Sequence, residues 1–308
     1  MTQFTTENIK QLREKTGAGM MDCKKALSEN NGNMEAAIDW LRQKGLSIAA
    51  KKSGRAAAEG LVAIARKDVS EAVVIELNSE TDFVAKNDKF QALASGIAAV
   101  ALATPGADIE GLKQAKYPAT GRAVADEIVE HIGVIGENLQ LRRYEKLAAD
   151  VVSVYVHNAV VDGAGKIAVL VALSTKGDKE KADKLGKQVA MHIAASRPES
   201  VTVDALDPAL VARERAVLTE QSRASGKPDD VIEKMIEGRI RKFYGEVVLL
   251  EQPFLIDGKT PVKQILKDAE KDVGAPISVL SFIRFQLGEG VEKKEENFAA
   301  EVAAAAGH

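Results

Sequence analysis

The sequence predicts an α+β protein assembled from several modules, and three observations carry that prediction. Apolar residues keep helical spacing through the first 45 positions. From Gly60 they fall instead into short runs of strand type, twice over. A charged segment over 204–242 then interrupts the second set of strands with two narrow helical stripes. A length of 308 residues allows about two domains or several small modules. With 45% hydrophobic and 28% charged residues, the chain can bury cores and keep a soluble surface.

The first module reads as three short helices. Ile9 and Leu12 share one face, and Thr16-Gly17-Ala18-Gly19 ends that helix, because glycine enters the left-handed conformation cheaply. Met20 to Leu27 forms the second. Asn30-Asn31-Gly32-Asn33 breaks it and offers Asn33 as the N-cap of the third. There Met34, Ala37, Ile38 and Leu41 recur at i, i+3, i+4 and i+7, and Gly45 is expected to stop the helix. Residues 46–59 have linker composition, helical in part. So small a unit is marginal alone and borrows stability from what it touches.

Leu61 to Ile64 and Val73 to Leu77 flank Lys67-Asp68-Val69-Ser70, the pattern of a β-hairpin. A helix follows with Phe90, Leu93, Ile97 and Val100 on one stripe, ended by Thr104-Pro105-Gly106, and another is expected over about 121–133. The theme then repeats. Leu141 to Tyr144, Val151 to His157 and Lys166 to Leu173 read as strands, and 179–195 as a helix carrying Leu185, Val189, His192 and Ile193. Within the interruption, Leu210, Val217 and Leu218 lie on one side of Ser225-Gly226-Lys227-Pro228. Val231, Ile232, Met235, Ile236 and Ile240 lie on the other. Narrow stripes on both arms of a turn predict an antiparallel helical hairpin projecting from the body. Glu246 to Leu250 and Val279 to Leu287 return to strand character, and Glu289 to Ala306 reads as a terminal helix ordered on a partner.

Composition narrows the function. The net charge is −3, so no global field draws the chain to nucleic acid or to an anionic bilayer. Aromatics at 4% are too few for base-stacking platforms. A single cysteine, Cys23, excludes an internal disulfide and a cysteine-rich zinc cage. No secretory leader pattern opens the chain, and no apolar run approaches the roughly 18 residues of a membrane span, which implies a cytoplasmic protein. Catalytic constellations are missing. His131 and His192 sit in helical patterns without HExxH spacing, His157 ends a strand and His308 is terminal. Gly17-Ala18-Gly19 follows a helix where a dinucleotide fingerprint needs a strand, and Gly163-Ala164-Gly165-Lys166 lacks the glycine and hydroxyl of a phosphate loop. Cys23, beside Lys24 and Lys25, reads as a small buried helix residue. No cofactor is expected, and function falls to a surface.

One stretch stands out. Ser79-Glu80-Thr81-Asp82-Phe83-Val84-Ala85-Lys86-Asn87 sets an acid beside an aromatic between a strand and a helix. Chemistry admits two readings. Thr81 or Asp82 caps the helix with Phe83 as a hydrophobic staple; or Phe83 is a rigid wedge for a partner's pocket, oriented by Asp82.

Leu12 to Leu27, with Arg13, Thr16-Gly17-Ala18-Gly19-Met20-Met21-Asp22-Cys23 and Lys24-Lys25, resembles the opening signature of the bacterial elongation factor Ts family. Thr81-Asp82-Phe83-Val84-Ala85-Lys86 resembles its second. The same likeness covers Gly136-Glu137-Asn138 with Arg142-Arg143, Ala190-Met191-His192 through Pro198, and Ser225-Gly226-Lys227-Pro228. It covers as well Gly238 to Gln252-Pro253-Phe254 and the closing Gly288-Glu289-Gly290-Val291-Glu292-Lys293. The resemblance implies a UBA-like three-helix module with its linker over 1–54 and a two-part core with antiparallel sheets, 55–145 and then 146–203 with 241–287. It also implies an inserted antiparallel coiled coil over 204–240 and a C-terminal helical module over 288–308.

The implied function is guanine-nucleotide exchange on elongation factor Tu during translation elongation, without covalent chemistry. Asp82 and Phe83 would intrude on the partner and disturb its Mg²⁺ and phosphate site, with Thr81 and Val84 fixing the turn. Arg13, Met20 and Met21 would contact the partner from the first module, Lys52 from the linker and His157 from the second core half. The loop His157 to Gly163 is longer than the family's usual turn, and 268–277 carries extra length with no implied role. No nucleic acid or membrane partner is implied, and the hairpin is a candidate homodimer contact. The alternative from another class is a holdase-like helical binding module without nucleotide-linked activity.

Overall fold

The computed structural model describes residues 4–223 and 228–291. Thr5 opens the first helix with a reciprocal cap: the Asn8 N–H donates to Thr5 Oγ1 at 3.3 Å and the Thr5 N–H to Asn8 Oδ1 at 2.8 Å. Helix α1 (Thr6–Thr16) ends at Gly17, whose φ of 69° is the left-handed cap the sequence predicts. Then come α2 (Met20–Glu29) and α3 (Met34–Lys52), the latter capped by Asn33. Leu12, Cys23, Ala26, Leu27 and Ala37 close a small core among them.

Gly45 does not stop α3, which runs seven residues further to Lys52. It is buried against α6 (Val124–Ile135), where a Cβ built on Gly133 would lie 3.1 Å from the Gly45 Cα. Two facing glycines let the helix backbones approach, and that contact offsets the roughly 1 kcal/mol that a mid-helix glycine costs relative to alanine. The first module thus docks on the body through the back half of α3.

Strands β1 (Glu59–Lys67) and β2 (Glu71–Ser79) pair antiparallel with Ala63 opposite Ile75. Asp68 turns the hairpin at φ 45°, its carboxylate accepting from the Ser70 N–H and hydroxyl. Strand β3 (Gln140–Ala148) pairs with β2, while β4 (Val151–His157) starts the second sheet. The short β5 (Ala164–Gly165) pairs with β1, and β6 (Ile167–Thr175) joins β4 to β7 (Ile277–Gln286). The two sheets are ordered β3-β2-β1-β5 and β4-β6-β7, and every pairing is antiparallel. Because β5 belongs to the second block of sequence yet extends the first sheet, the two halves interlock.

Side-chain alternation sorts these strands into layers. Leu61, Ala63, Val73, Ile75 and Leu77 face α4 (Asp88–Ala103) and α6. Val169, Val171 and Leu173 face α7 (Lys179–Ser196) and α10 (Val262–Val273). Between the sheets, Val62, Val74, Val152, Leu170 and Phe285 meet one another. The order is helix, sheet, sheet, helix, so β2 and β6 are buried on both faces and read as near-continuous apolar runs, that of β2 broken by Glu76.

Gly186 on α7 is packed directly on β4: a Cβ there would lie 2.6 Å from Ser153 Cβ and 2.8 Å from Leu173 Cδ1. Gly186→Ala is expected to cost about 1–3 kcal/mol by overpacking, read as a lower urea midpoint at unchanged m-value.

Four elements differ from expectation. Helix α5 (Ile109–Gln114) is too short to show a stripe, α10 adds a helix to the expected elements although Val262, Ile265, Leu266 and Val273 fall at helical spacing, and α6 begins at Val124, not near 121. Glu246 to Leu250 is not a strand. Helix α9 (Asp229–Val247) continues to Val247 and a 3₁₀ turn, Leu249–Glu251, follows, with Val248 only bridged to Ser200. A short apolar run at a buried helix end cannot be told from a strand by periodicity. Helix α8 (Pro208–Arg223) packs on α9 through Leu218, Ile232, Ile236 and Ile240, while Val217 and Val231 stay exposed. An ion pair from Arg215 to Glu237 at 2.7 Å and a hydrogen bond from Arg239 to Gln221 at 3.2 Å cross between them. Residues 225–227 of the hairpin turn and the expected terminal helix beyond 291 lie outside the described residues.

Candidate partner-binding site

At the end of β2 the chain turns sharply and is braced from outside. The Ser79 hydroxyl donates to the Thr81 carbonyl at 2.9 Å. Gly136, at φ 83°, ends α6 and aims the next two residues at this turn. Glu137 accepts from the Thr81 N–H at 2.9 Å and from the Thr81 hydroxyl at 2.6 Å, one bond on each carboxylate oxygen. The Asn138 N–H donates to Glu80 at 2.6 Å, and Arg55 pairs with the other oxygen of Glu80 at 3.2 Å. Asn138 Nδ2 donates to the Arg55 carbonyl at 2.8 Å, closing the ring of contacts.

Neither Thr81 nor Asp82 caps the following helix. A 3₁₀ turn, Val84–Lys86, intervenes, and Asn87 is the cap of α4, accepting from the Lys89 and Phe90 N–H groups. Nor is Phe83 a staple, because 75% of it is exposed. The extra turn moves the cap five residues along the chain and leaves Asp82 and Phe83 outward, over the buried Val84 and Ala85. Exposing a phenylalanine forgoes roughly 1.5–3 kcal/mol of burial, which a protein tolerates where the ring has another use.

Phe83, Val84, Asn87, Lys89, Val134 and Ile135 line an open cleft of about 330 Å³. From its edge Lys89 Nζ donates to the Gly17 carbonyl at 3.2 Å, tying the cleft to the turn between α1 and α2. Met20 and Met21 begin α2 three residues beyond and are 41% and 74% exposed; Arg13 is exposed on α1. The structure therefore gathers the Thr81 to Val84 turn and the Met20-Met21 corner, two of the sequence-predicted groups. Lys52 is half-buried at the end of α3. His157 is exposed at the end of β4, on the other sheet, where its Nδ1 lies 3.0 Å from the Tyr155 hydroxyl.

Other singled-out residues are structural. Cys23 is buried, and burial first of all pushes its thiol above the ordinary range. His192 is fully buried; its Nδ1 accepts from the Leu255 N–H at 3.1 Å, so Nε2 carries the proton and donates to Gln252 Oε1 at 2.8 Å. Burial lowers its pKa. Sequence reasoning gave Glu76, Glu80 and Glu137 no role. Only the interruption of the run Val73 to Leu77 by an acid could have drawn notice to Glu76. Among the described residues, no three His, Cys, Asp or Glu side chains group as a metal site would require. No helix among them is long and apolar enough to cross a membrane.

The family model described as Elongation factor TS matches residues 80–289, from Glu80 at the root of the exposed turn to Glu289 beyond β7. The chain is also 58% identical over 307 residues to Elongation factor Ts of Rhizobium etli (strain CIAT 652), covering 99% of each. The chain belongs to the elongation factor Ts family. Family likeness extends to Elongation factor Ts of Sinorhizobium medicae (strain WSM419), 58% identical over 98% of each chain. In Rhodospirillum centenum (strain ATCC 51521 / SW) the family member of that name is 53% identical over the full length of both. Membership in the elongation factor Ts family makes this a factor of translation elongation.

Proposed function

We propose that the chain is a guanine-nucleotide exchange factor for elongation factor Tu, acting by inserting Phe83. The observation that carries this reading is a large aromatic, 75% exposed, on a corner whose flanks are fixed, Thr81 by hydrogen bonds and Val84 by burial. A ring held this way enters an apolar pocket with little further entropy to lose. Asp82 beside it orients the entry, and Thr81 and Val84 anchor it. Met20 and Met21 add an adaptable apolar contact and Arg13 a planar cation. Lys52 and His157 would meet other parts of the partner. In a GTPase, Mg²⁺ offsets the charge of the bound phosphates. Displacing the elements that hold it loosens GDP. The factor catalyses no covalent step, and coupling is reciprocal: as it weakens nucleotide binding, nucleotide weakens its own binding equally. Under the same reading α1 to α3 form a UBA-like module, and α8 with α9 an inserted antiparallel coiled coil.

The test is stopped-flow release of a fluorescent GDP analogue from elongation factor Tu. Phe83→Ala is expected to slow maximal stimulated release by at least about tenfold, as an interface anchor does, with the melting temperature kept. Asp82→Ala is expected to be slower than wild type and faster than Phe83→Ala. An unchanged rate for Phe83→Ala removes the wedge. Client binding that ignores added GDP would favour the holdase-like alternative.

A further inference from the structure

We propose that Glu137 is a positioning residue for Phe83, holding the wedge through Thr81. The inference rests on the exchange reading above. Three stretches far apart in sequence converge here: Arg55, the Ser79 to Phe83 turn, and Glu137-Asn138. Glu137 is the member that grips the turn itself. Its two oxygens take both polar hydrogens of Thr81, two residues before Phe83. Hydrogen bonds to a carboxylate are roughly twice as strong as neutral ones, and two from one residue fix direction as well as distance. Asn138 serves differently, binding the neighbouring Glu80 carboxylate and the Arg55 carbonyl. Glu137 does not reach the exposed ring's cleft, whose lining is Phe83, Val84, Asn87, Lys89, Val134 and Ile135. It acts through Thr81, not by touching the partner.

The physical consequence is specific. Without Glu137 the Thr81 N–H and hydroxyl are released and only its carbonyl stays held, by Ser79, so Asp82 and Phe83 sample directions that do not enter the pocket. Ordering one freed residue again at the moment of insertion costs on the order of tenfold in rate. The loss belongs to the step in which the ring enters. It should therefore lower the maximal release rate and leave the half-saturating factor concentration, set by the rest of the interface, little changed.

The experiment uses the full chain with elongation factor Tu and a fluorescent GDP analogue, comparing Glu137→Ala, Glu137→Gln, Phe83→Ala and the Phe83→Ala/Glu137→Ala double variant. Glu137→Ala should reduce maximal release by on the order of tenfold. The double variant should be no slower than Phe83→Ala alone, because a misdirected alanine loses nothing more. Glu137→Gln should recover most of the rate, its amide accepting from the Thr81 N–H and donating to the hydroxyl. Hydrogen exchange should show the Thr81 amide protected in the wild type and released in Glu137→Ala. A wild-type maximal rate in Glu137→Ala, full additivity in the double variant, or unchanged Thr81 protection each overturns the inference. If Phe83→Ala itself is unimpaired, the exchange reading fails first and this one with it. Should Glu137→Ala not fold, Thr81→Val deletes only the hydroxyl bond and must still lower the maximal rate.

Discussion

Glu76→Ala is expected to destabilise the protein by about 3–5 kcal/mol, the cost of removing one partner from a buried ion pair. Glu76 is fully buried at the end of the layer between the two sheets. Its Oε1 accepts from Asn78 Nδ2 at 3.0 Å, the Gly288 N–H at 2.9 Å and Arg142 Nη1 at 3.1 Å. Oε2 accepts from Arg142 Nη1 at 3.1 Å and from Arg143 Nε at 2.6 Å. Arg143 also donates to the Gln286 carbonyl at 3.0 Å and lies 4.1 Å over the Phe285 ring. One carboxylate thus joins β2, β3 and the segment after β7. Its loss leaves Arg142 and Arg143 without the carboxylate they share and the Gly288 amide without an acceptor, and both are expensive in a low-dielectric place. Glu76→Gln keeps the shape but not the charge and should fall between wild type and alanine. Urea unfolding at neutral pH measures it, and a loss under about 1 kcal/mol would mean that the network is worth no more than a surface pair. Limited proteolysis should in addition cut after Gly288 faster in the alanine variant.

That network marks the limit of what was legible in the sequence. The hairpin around Asp68, the cap at Asn33, the left-handed stop at Gly17 and the buried strand at Ile167 to Thr175 were legible because each rests on local chemistry or a local period. Gly45 misled because a glycine that ends a helix and one that lets two helices touch look alike along the chain; only Gly133, 88 positions away, distinguishes them. Glu246 to Leu250 misled because an apolar run has no period. At the candidate site the exposed pair Asp82-Phe83 could be singled out, but its brace could not. The partners of the turn lie at Arg55 and Glu137, and nothing in the residues from 79 to 87 announces them. Polar networks of this kind are set by tertiary geometry, where one acid among 45 acquires a role through where it points.

Acidification is expected to weaken the fold in two separate windows, the first of them set by His192. The ring lies between Ser196 on its own helix and Gln252, Phe254 and Leu255 on the facing loop, with both nitrogens already engaged. Protonating Nδ1 would turn the Leu255 N–H toward a second donor, and burial opposes the charge, so the folded pKa is held down. An unfolded imidazole takes a proton below about 6.5. The unfolded state then binds the proton first, and this contribution, complete above that pH, is lost as the pH falls toward the folded value. The slope of stability against pH in this window is at most about 1.4 kcal/mol per pH unit for one proton. His192→Gln, which cannot titrate, should flatten it. The second window belongs to Asp183. Its burial opposes ionisation, but hydrogen bonds from Arg66 and Ser153 and the charges of Arg66 and Lys187 outweigh it, and the pKa falls. Its contribution is present above about 3.9 and is lost only as the pH drops below that through the folded value. Asp183→Asn should lower stability at neutral pH and flatten the acid limb alone. Urea unfolding from pH 7.5 down to about pH 3 would separate them: two variants that changed the same limb would show that the groups titrate as one unit, against the separation of their environments on opposite faces of α7.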